Sequence, residues 1–172
     1  MTPPNSDPKQ GTLLCIGTTG MLAECTQRLL ADGWKVHVIA RNPEALRTHS
    51  TDVLTTAACD YHDLDAFKRA LNQAPDPVVS VLYWIHSSAQ DAINLLESRY
   101  AETNRLRVVG SAHQPIPNAK SSERIIKLGF VTQPNGSRWL THQEISEGVY
   151  NAFVSGQVSS TVGTTKPWSA RP

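Results

Sequence analysis

The sequence predicts an α/β protein built on a doubly wound, mostly parallel sheet with an antiparallel addition at its C-terminal end. Three observations predict it. Before residue 110, five apolar, strand-like runs alternate with segments of helical periodicity, the rhythm of a parallel sheet with helices on both faces. Several of the runs are continuous rather than alternating, as strands covered on both sides require. After Gly110 the rhythm breaks, and "SAHQPIPNAKSSE" carries two prolines, which leaves no room for a full crossover helix.

The elements follow in order. "TLLCIG" is a buried strand that ends in glycine. From Met21 to Asp32, Met21, Leu22, Cys25, Leu29 and Leu30 recur at helical spacing, and Gly33 ends the helix. "WKVHVIA" (34–40) is a second strand. Asn42-Pro43-Glu44 opens a short helix that stops near His49, with Asn as cap and Pro at the first helical position. "DVLTTAAC" (52–59) is a third strand, and Asp63 caps a helix whose Leu64, Phe67 and Leu71 share a face. "VVSVLYWI" (78–85) is a central strand. Ser88 with Asp91 forms a capping box for the helix that follows. "RLRVVG" (105–110) is the fifth strand.

Beyond it, "RIIKLGFVT" (124–132) is expected antiparallel to its neighbour. "QPNG" turns the chain and "SRWLT" pairs back. Thr141 with Glu144 caps a helix through about Phe153, and "VSSTVGTT" supplies a last strand. The domain expectation is a disordered lead over 1–10, one domain over 11–166, and an arm, "KPWSARP", over 167–172.

Bulk properties exclude several classes. A net charge of +1 gives no electrostatic reason to expect nucleic acid or a membrane surface as partner. No apolar run reaches the roughly 18 residues of a membrane span, and the polar, Pro-rich start lacks a secretory signal. Cys15, Cys25 and Cys59 lie in apolar surroundings and read as buried thiols of a cytoplasmic protein. His37, His49, His62 and His142 have no ligand spacing with each other or with cysteine, so no metal is expected.

The informative stretch is "GTTGMLA". Gly17 permits a tight turn, Gly20 lets the backbone approach a pyrophosphate, and Ala23 allows close packing of helix on strand. Amides of Gly17, Thr18, Thr19, Gly20, Met21 and Leu22 would face the phosphates at a helix start. The spacing alone is weak; its setting between a buried strand and a helix is what the fingerprint needs. At the end of the second strand stand Arg41-Asn42 in place of the acid that suits NAD. A cationic fork and an amide suit a 2′-phosphate, so NADP is favoured and NAD is the second choice. Asp60 is placed to meet the adenine amino group, or only to enter a helix. Tyr61 could lie against the ring.

With these residues in place, the chain resembles the short-chain dehydrogenase/reductase superfamily, and more narrowly its small, abridged bacterial members. "IGTTGMLAECTQRLLADGWKVHVIARNPEAL", "VLYWIHSSAQDAI", "GFVTQPNGSRWLTHQEISEGV" and "VGTTKPWSARP" carry the likeness. The resemblance implies a Rossmann-like fold, an NAD(P) cofactor and carbonyl reduction. Ser111 matches the family's serine at the end of the fifth strand. The family's Tyr-x-x-x-Lys is absent from the whole chain, and the fourth strand ends in "YWIHSS" where relatives carry Asn-Ala-Gly.

Other groups must then serve. The ligand of an open parallel sheet sits beyond the carboxyl ends of its strands, which places Ile85 and His86 on one side and Ser111 and His113 on the other. His86 and His113 are candidate proton donors because imidazole titrates near neutrality, and Ser111 could hold a substrate oxygen. Each also has a plain reading as a turn or cap residue. Lys120 and Lys127 could assist the phosphates or merely be solvated. Two functions stay open: an NADP-dependent reductase of a small C=O or C=N substrate, and an NAD(P)-binding sensor or partner subunit without turnover. A homo-oligomer, most simply a dimer built on the C-terminal hairpin, helix and tail, is expected to close the shallow site.

Overall fold

The computed structural model describes residues 10–46, 52–113 and 123–172. The strands are β1 (Thr12–Ile16), β2 (Lys35–Ala40), β3 (Leu54–Ala58), β4 (Val78–Tyr83), β5 (Asn104–Val109), β6 (Glu123–Leu128), β7 (Phe130–Gln133), β8 (Gly136–Trp139) and β9 (Ser159–Val162). The helices are α1 (Ala23–Ala31), α2 (Leu64–Asn72), α3 (Gln90–Arg99) and α4 (His142–Ser155). Seven strands form one sheet in the order β3-β2-β1-β4-β5-β6-β9, every pair parallel. The β7–β8 hairpin is antiparallel and separate. The fold is a doubly wound, Rossmann-like sheet.

Strand alternation splits the core in two. Leu13 and Cys15 of β1 face α1 and α4 and join Leu106, Val108, Ile126 and Val149. Leu14 and Ile16 face the opposite way, with Phe67, Val81, Tyr83 and Ile93 under α2 and α3. Period-two alternation on a strand covered on both faces needs an unbroken apolar run, which "LLCI" supplies.

Four expectations are corrected. Residues 124–128 do not run antiparallel to their neighbour: β6 pairs parallel with β5, from Arg105↔Glu123 to Val109↔Lys127. The connection over 110–122 has the dozen residues a parallel return requires, and Ile126 and Leu128 bury in the core beneath α4. Antiparallel pairing begins only past Gly129, where a Cβ would stand 2.2 Å from the Thr164 carbonyl oxygen. The Asn42 helix is a single 3-10 turn, Pro43–Ala45, and the Asn42 side chain makes no cap bond. Ser88 and Asp91 form no capping box: His86 caps a 3-10 turn over Ser87–Ala89, and α3 starts at Gln90. Helix α1 begins at Ala23, with Met21 and Leu22 in a turn. The lead over 1–9, the segment around His49, and the 114–122 stretch with Lys120 lie outside the described residues.

Helix α4 matters most for the site because it packs on α1. Ser146 Oγ donates to the Met21 carbonyl at 2.8 Å, Tyr150 hydrogen-bonds Asp32, and the Arg28 guanidinium lies 3.7 Å over the Tyr150 ring. The backbone of Gly148 rests on Val162, where a Cβ would be 2.5 Å from its side chain. The start of α4 is set by the expected box: Thr141 Oγ1 accepts from the Glu144 amide, and the Glu144 carboxylate accepts from the Thr141 amide.

The Arg138 guanidinium, followed by the Thr141 amide and hydroxyl, holds the Glu144 carboxyl at about 2, below its ordinary 4.5. A depressed carboxyl stabilises the fold in full above about pH 4.5 and loses that contribution as pH falls toward 2. Thr141→Ala should cost about 1 kcal/mol in urea unfolding at pH 7 with an unchanged m-value. The stability gap between the native chain and Glu144→Gln should shrink on acidification between about pH 4.5 and 2.

Candidate functional site

All seven sheet strands point the same way, so their carboxyl ends form one rim. The order reverses between β1 and β4, which opens a crevice there. Two grooves occupy it and share Trp84 as a common wall.

The first groove, about 310 Å³, is built on the glycine turn. Gly17 has φ +71°, and its N–H donates to the Ile39 carbonyl at 3.1 Å. A Cβ there would lie 2.2 Å from the Trp84 carbonyl oxygen. Both facts require glycine. Gly20 is different: a Cβ would meet no atom within 4 Å, so packing does not demand glycine. Its bare backbone faces open groove, as close approach to a ligand would require. Thr19 and Met21 complete this wall, with Arg41 and Asn42 at the end of β2 and Tyr61 beyond β3 opposite.

Thr18 and Leu22 turn away from the groove, their side chains fully buried. Thr26 Oγ1 donates to the carbonyls of Thr18 at 3.2 Å and Leu22 at 3.0 Å, so these two residues brace the turn and offer a ligand only their backbone. Ile85 is buried and lines the second groove, not the first.

Asp60 is already engaged. Its Oδ1 accepts from the His62 amide at 3.0 Å and faces His62 Nδ1 at 2.8 Å. The His62 amide first, and its ring next, hold this carboxyl below the usual range, with Arg41 adding a smaller pull. His62 Nε2 lies 3.0 Å from Ser88 Oγ, which lies 2.9 Å from His86 Nδ1. A continuous chain, Asp60–His62–Ser88–His86, therefore runs along the rim. Sequence reading missed His62 as a member of it; only the i, i+2 spacing from Asp60 hinted at it. Tyr61 belongs as well, since its hydroxyl accepts from the His86 amide at 3.2 Å.

His86 Nδ1 also accepts the Ser88 amide at 3.1 Å. An acceptor nitrogen carries no hydrogen, so neutral His86 bears its proton on Nε2. The second groove, about 420 Å³, is lined by Trp84, His86, Arg107, Gly110, Ala112 and His113, among others. Burial first, then the cations Arg107 and Lys127, push the His113 imidazole down, toward its neutral form. Ser111 is half-buried but is not part of this lining. Arg107, unforeseen as a site residue, is part of it. The only sequence signal was a pair of arginines two apart in a buried strand.

The three thiols are held toward their protonated form. Burial raises Cys15 and Cys59 and pushes Cys25 up to about 12, which leaves little thiolate near neutral pH.

Comparisons agree with this architecture. The sequence model of the NAD dependent epimerase/dehydratase family matches residues 13–122, and the chain belongs to that family. A short-chain dehydrogenase/reductase from Vibrio parahaemolyticus superposes with a TM-score of 0.66 at 14% identity, covering 88% of this chain and 98% of that one. A short chain dehydrogenase from Burkholderia cenocepacia, solved in complex with NADP, superposes with a TM-score of 0.63 at 12% identity, over 90% of this chain and 89% of that one. A putative epimerase from Bacteroides thetaiotaomicron gives 0.61 at 13% identity, over 89% and 96%. No curated protein matches. The fold is that of the short-chain dehydrogenase-like Rossmann proteins. No described helix is long and apolar enough to cross a membrane.

The two glycines should separate under substitution. Gly17→Ala should lose at least roughly 1–2 kcal/mol of stability from its backbone alone, read by urea unfolding. Gly20→Ala should fold within about 0.5 kcal/mol of the native chain yet weaken nucleotide binding.

Proposed function

We propose that the chain is an NADPH-dependent oxidoreductase that reduces a small C=O or C=N substrate. The observation that carries this reading is the pair of grooves meeting at Trp84, one built on an open glycine turn and the other on strand-end histidines. In it, the backbone of Gly17, Thr19, Gly20 and Met21 holds the pyrophosphate. Arg41 and Asn42 take the 2′-phosphate, and Tyr61 lies beside the adenine. A bound nicotinamide would supply hydride.

The chain's own residues do the rest. Neutral His86 presents Nε2–H as a hydrogen-bond donor to the substrate's oxygen or nitrogen. It is held in that tautomer by the Ser88 amide. As the Nε2 proton passes to the substrate, Ser88 Oγ gives its proton to Nδ1 and takes one from His62 Nε2, so the His86 imidazole stays neutral. His113, pushed toward neutrality, is the second donor on the opposite wall. Ser111 serves through the turn that carries His113 rather than by touching the substrate. An imine suits the site well, because it enters already protonated and needs no strong acid.

The second reading is an NAD(P)-binding sensor or partner subunit. The absence of Tyr-x-x-x-Lys from the sequence favours it, since that pair is the superfamily's proton-donating machinery. Turnover separates the two. The exposed Trp139 and Trp168 fit a dimer that uses the hairpin and tail, and a dimeric mass in light scattering at micromolar concentration is expected. A cytoplasmic location suits the buried free thiols.

NADPH should bind more tightly than NADH in fluorescence titration. Arg41→Ala should weaken NADPH by at least about tenfold, the worth of a charge-assisted bond, and leave NADH nearly unchanged. His86→Ala should lower kcat on a responsive carbonyl or imine by about 100-fold. Tight binding with no turnover on such a panel would favour the sensor reading.

A further inference from the structure

We propose that the second groove selects a substrate that carries a carboxylate, and that Arg107 is the residue that holds it. The proposal rests on the reductase reading above and names the substrate class of that site.

Strand β5 is central, between β4 and β6, where a doubly wound fold buries apolar side chains. Here Arg105 and Arg107 project from the same face, two residues apart. Arg107 sits opposite Tyr83 of β4 and Ile125 of β6.

The two arginines are used differently. Arg105 is structural: its Nη1 donates to the carbonyls of Tyr100 at 2.6 Å and Ala101 at 3.1 Å, and its Nε lies 3.7 Å from Glu123. Arg107 is poorly served. Its ion pair with Glu97 is long, 3.8 Å from Nη1, beyond hydrogen-bonding distance. Its Nε is buried and finds no acceptor among the described residues, although the side chain is only 14% exposed. Glu97 at 3.8 Å and the nearby Glu123 balance its charge, yet a nearly buried guanidinium whose Nε makes no hydrogen bond is unfavourable unless a further acceptor arrives. The same side chain lines the groove that would hold the substrate.

The surroundings favour an anion. Lys127, aligned with Val109 at the same rim, and Arg107 both bear on His113 and oppose a positive charge there. Among the described residues, Glu97 and Glu123 are acids whose charge bears on Arg107. Glu123 is committed to the Tyr83 hydroxyl and to Arg105, and Glu97 contacts Arg107 only loosely. A planar carboxylate matches the guanidinium fork. With it anchored at Arg107, a neighbouring C=O or C=N group lies within the groove that His86 also lines. The substrate class is therefore a small 2-oxo or 2-imino acid.

The test uses the full chain and oxamate as a carboxylate probe, with and without NADPH, read by calorimetry. Oxamate should bind, and Arg107→Leu should weaken it at least tenfold while NADPH affinity stays within threefold. If Arg107→Leu does not fold, Arg107→Lys carries the test: it keeps the charge but loses the fork, and a drop of about tenfold is expected. In turnover, pyruvate should exceed uncharged butane-2,3-dione in kcat/KM by at least tenfold. NADPH binding with no oxamate binding, or oxamate binding equal in the variants, would overturn the carboxylate assignment and leave the cofactor reading intact. Inorganic phosphate binding at Arg107 in place of oxamate would overturn it too. Oxamate held through Arg107 by a chain that binds neither nucleotide would keep the anion site and remove the reductase reading.

Discussion

Everything at the rim depends on the close passage of Gly17 beneath the Trp84 carbonyl. Strands β1 and β4 are in register to their ends, Ile16 opposite Tyr83, and the Trp84 amide donates to the Ile16 carbonyl at 2.9 Å. On the other side, the Gly17 amide is tied to Ile39. The chain leaving β1 is thus held between two strands and must turn at once, at positive φ, with no room for a side chain. Only glycine meets that demand. The consequence is geometric: Trp84 stands between the glycine turn and the His86 loop, and so becomes the wall that both grooves share.

The turn is braced from elsewhere, which keeps it in shape without a ligand. Thr26 reaches back to the carbonyls of Thr18 and Leu22. Ser146, 125 residues away in sequence, takes the Met21 carbonyl. Buried polar groups need partners, and these bonds engage the carbonyls of Thr18 and Met21 in the turn ahead of α1, and add a second bond to the Leu22 carbonyl, which also accepts the Thr26 amide. Among the described residues, those from Glu123 onward line neither groove and contribute by holding α1 and hence the turn.

Much of this was legible in the sequence, for physical reasons. A continuous apolar run, two glycines and a helical repeat can be satisfied together in few ways, so β1, the turn and α1 followed from local pattern. Thr141 and Glu144 were readable as a cap because the bonds are made within four residues. What was missed depends on contacts between distant segments. The direction of β6 was misjudged because two prolines argue against a helix but not against a parallel return. Ser88 has the spacing of a helix cap, yet its hydroxyl is drawn to His62 and His86, and His86 caps in its place. His62 became part of the rim only when β3 and β4 set residues 26 positions apart side by side. Arg107 looked like an ordinary strand residue until its buried donor and its place in the groove were known.

The central claim is that a nucleotide lies along the glycine turn and the end of β2, not elsewhere on the molecule. A rival of similar size exists: a cleft of about 400 Å³ between α1 and α4, lined by Glu24, Gln27, Arg28, Gln143, Ser146 and Glu147. Amide chemical-shift mapping on titration with NADPH distinguishes them. The account predicts the largest perturbations at Gly17, Thr19, Gly20, Met21, Arg41 and Tyr61, with Glu24 and Glu147 unmoved. Perturbations centred on the α1–α4 cleft, or none at saturating NADPH, would contradict it.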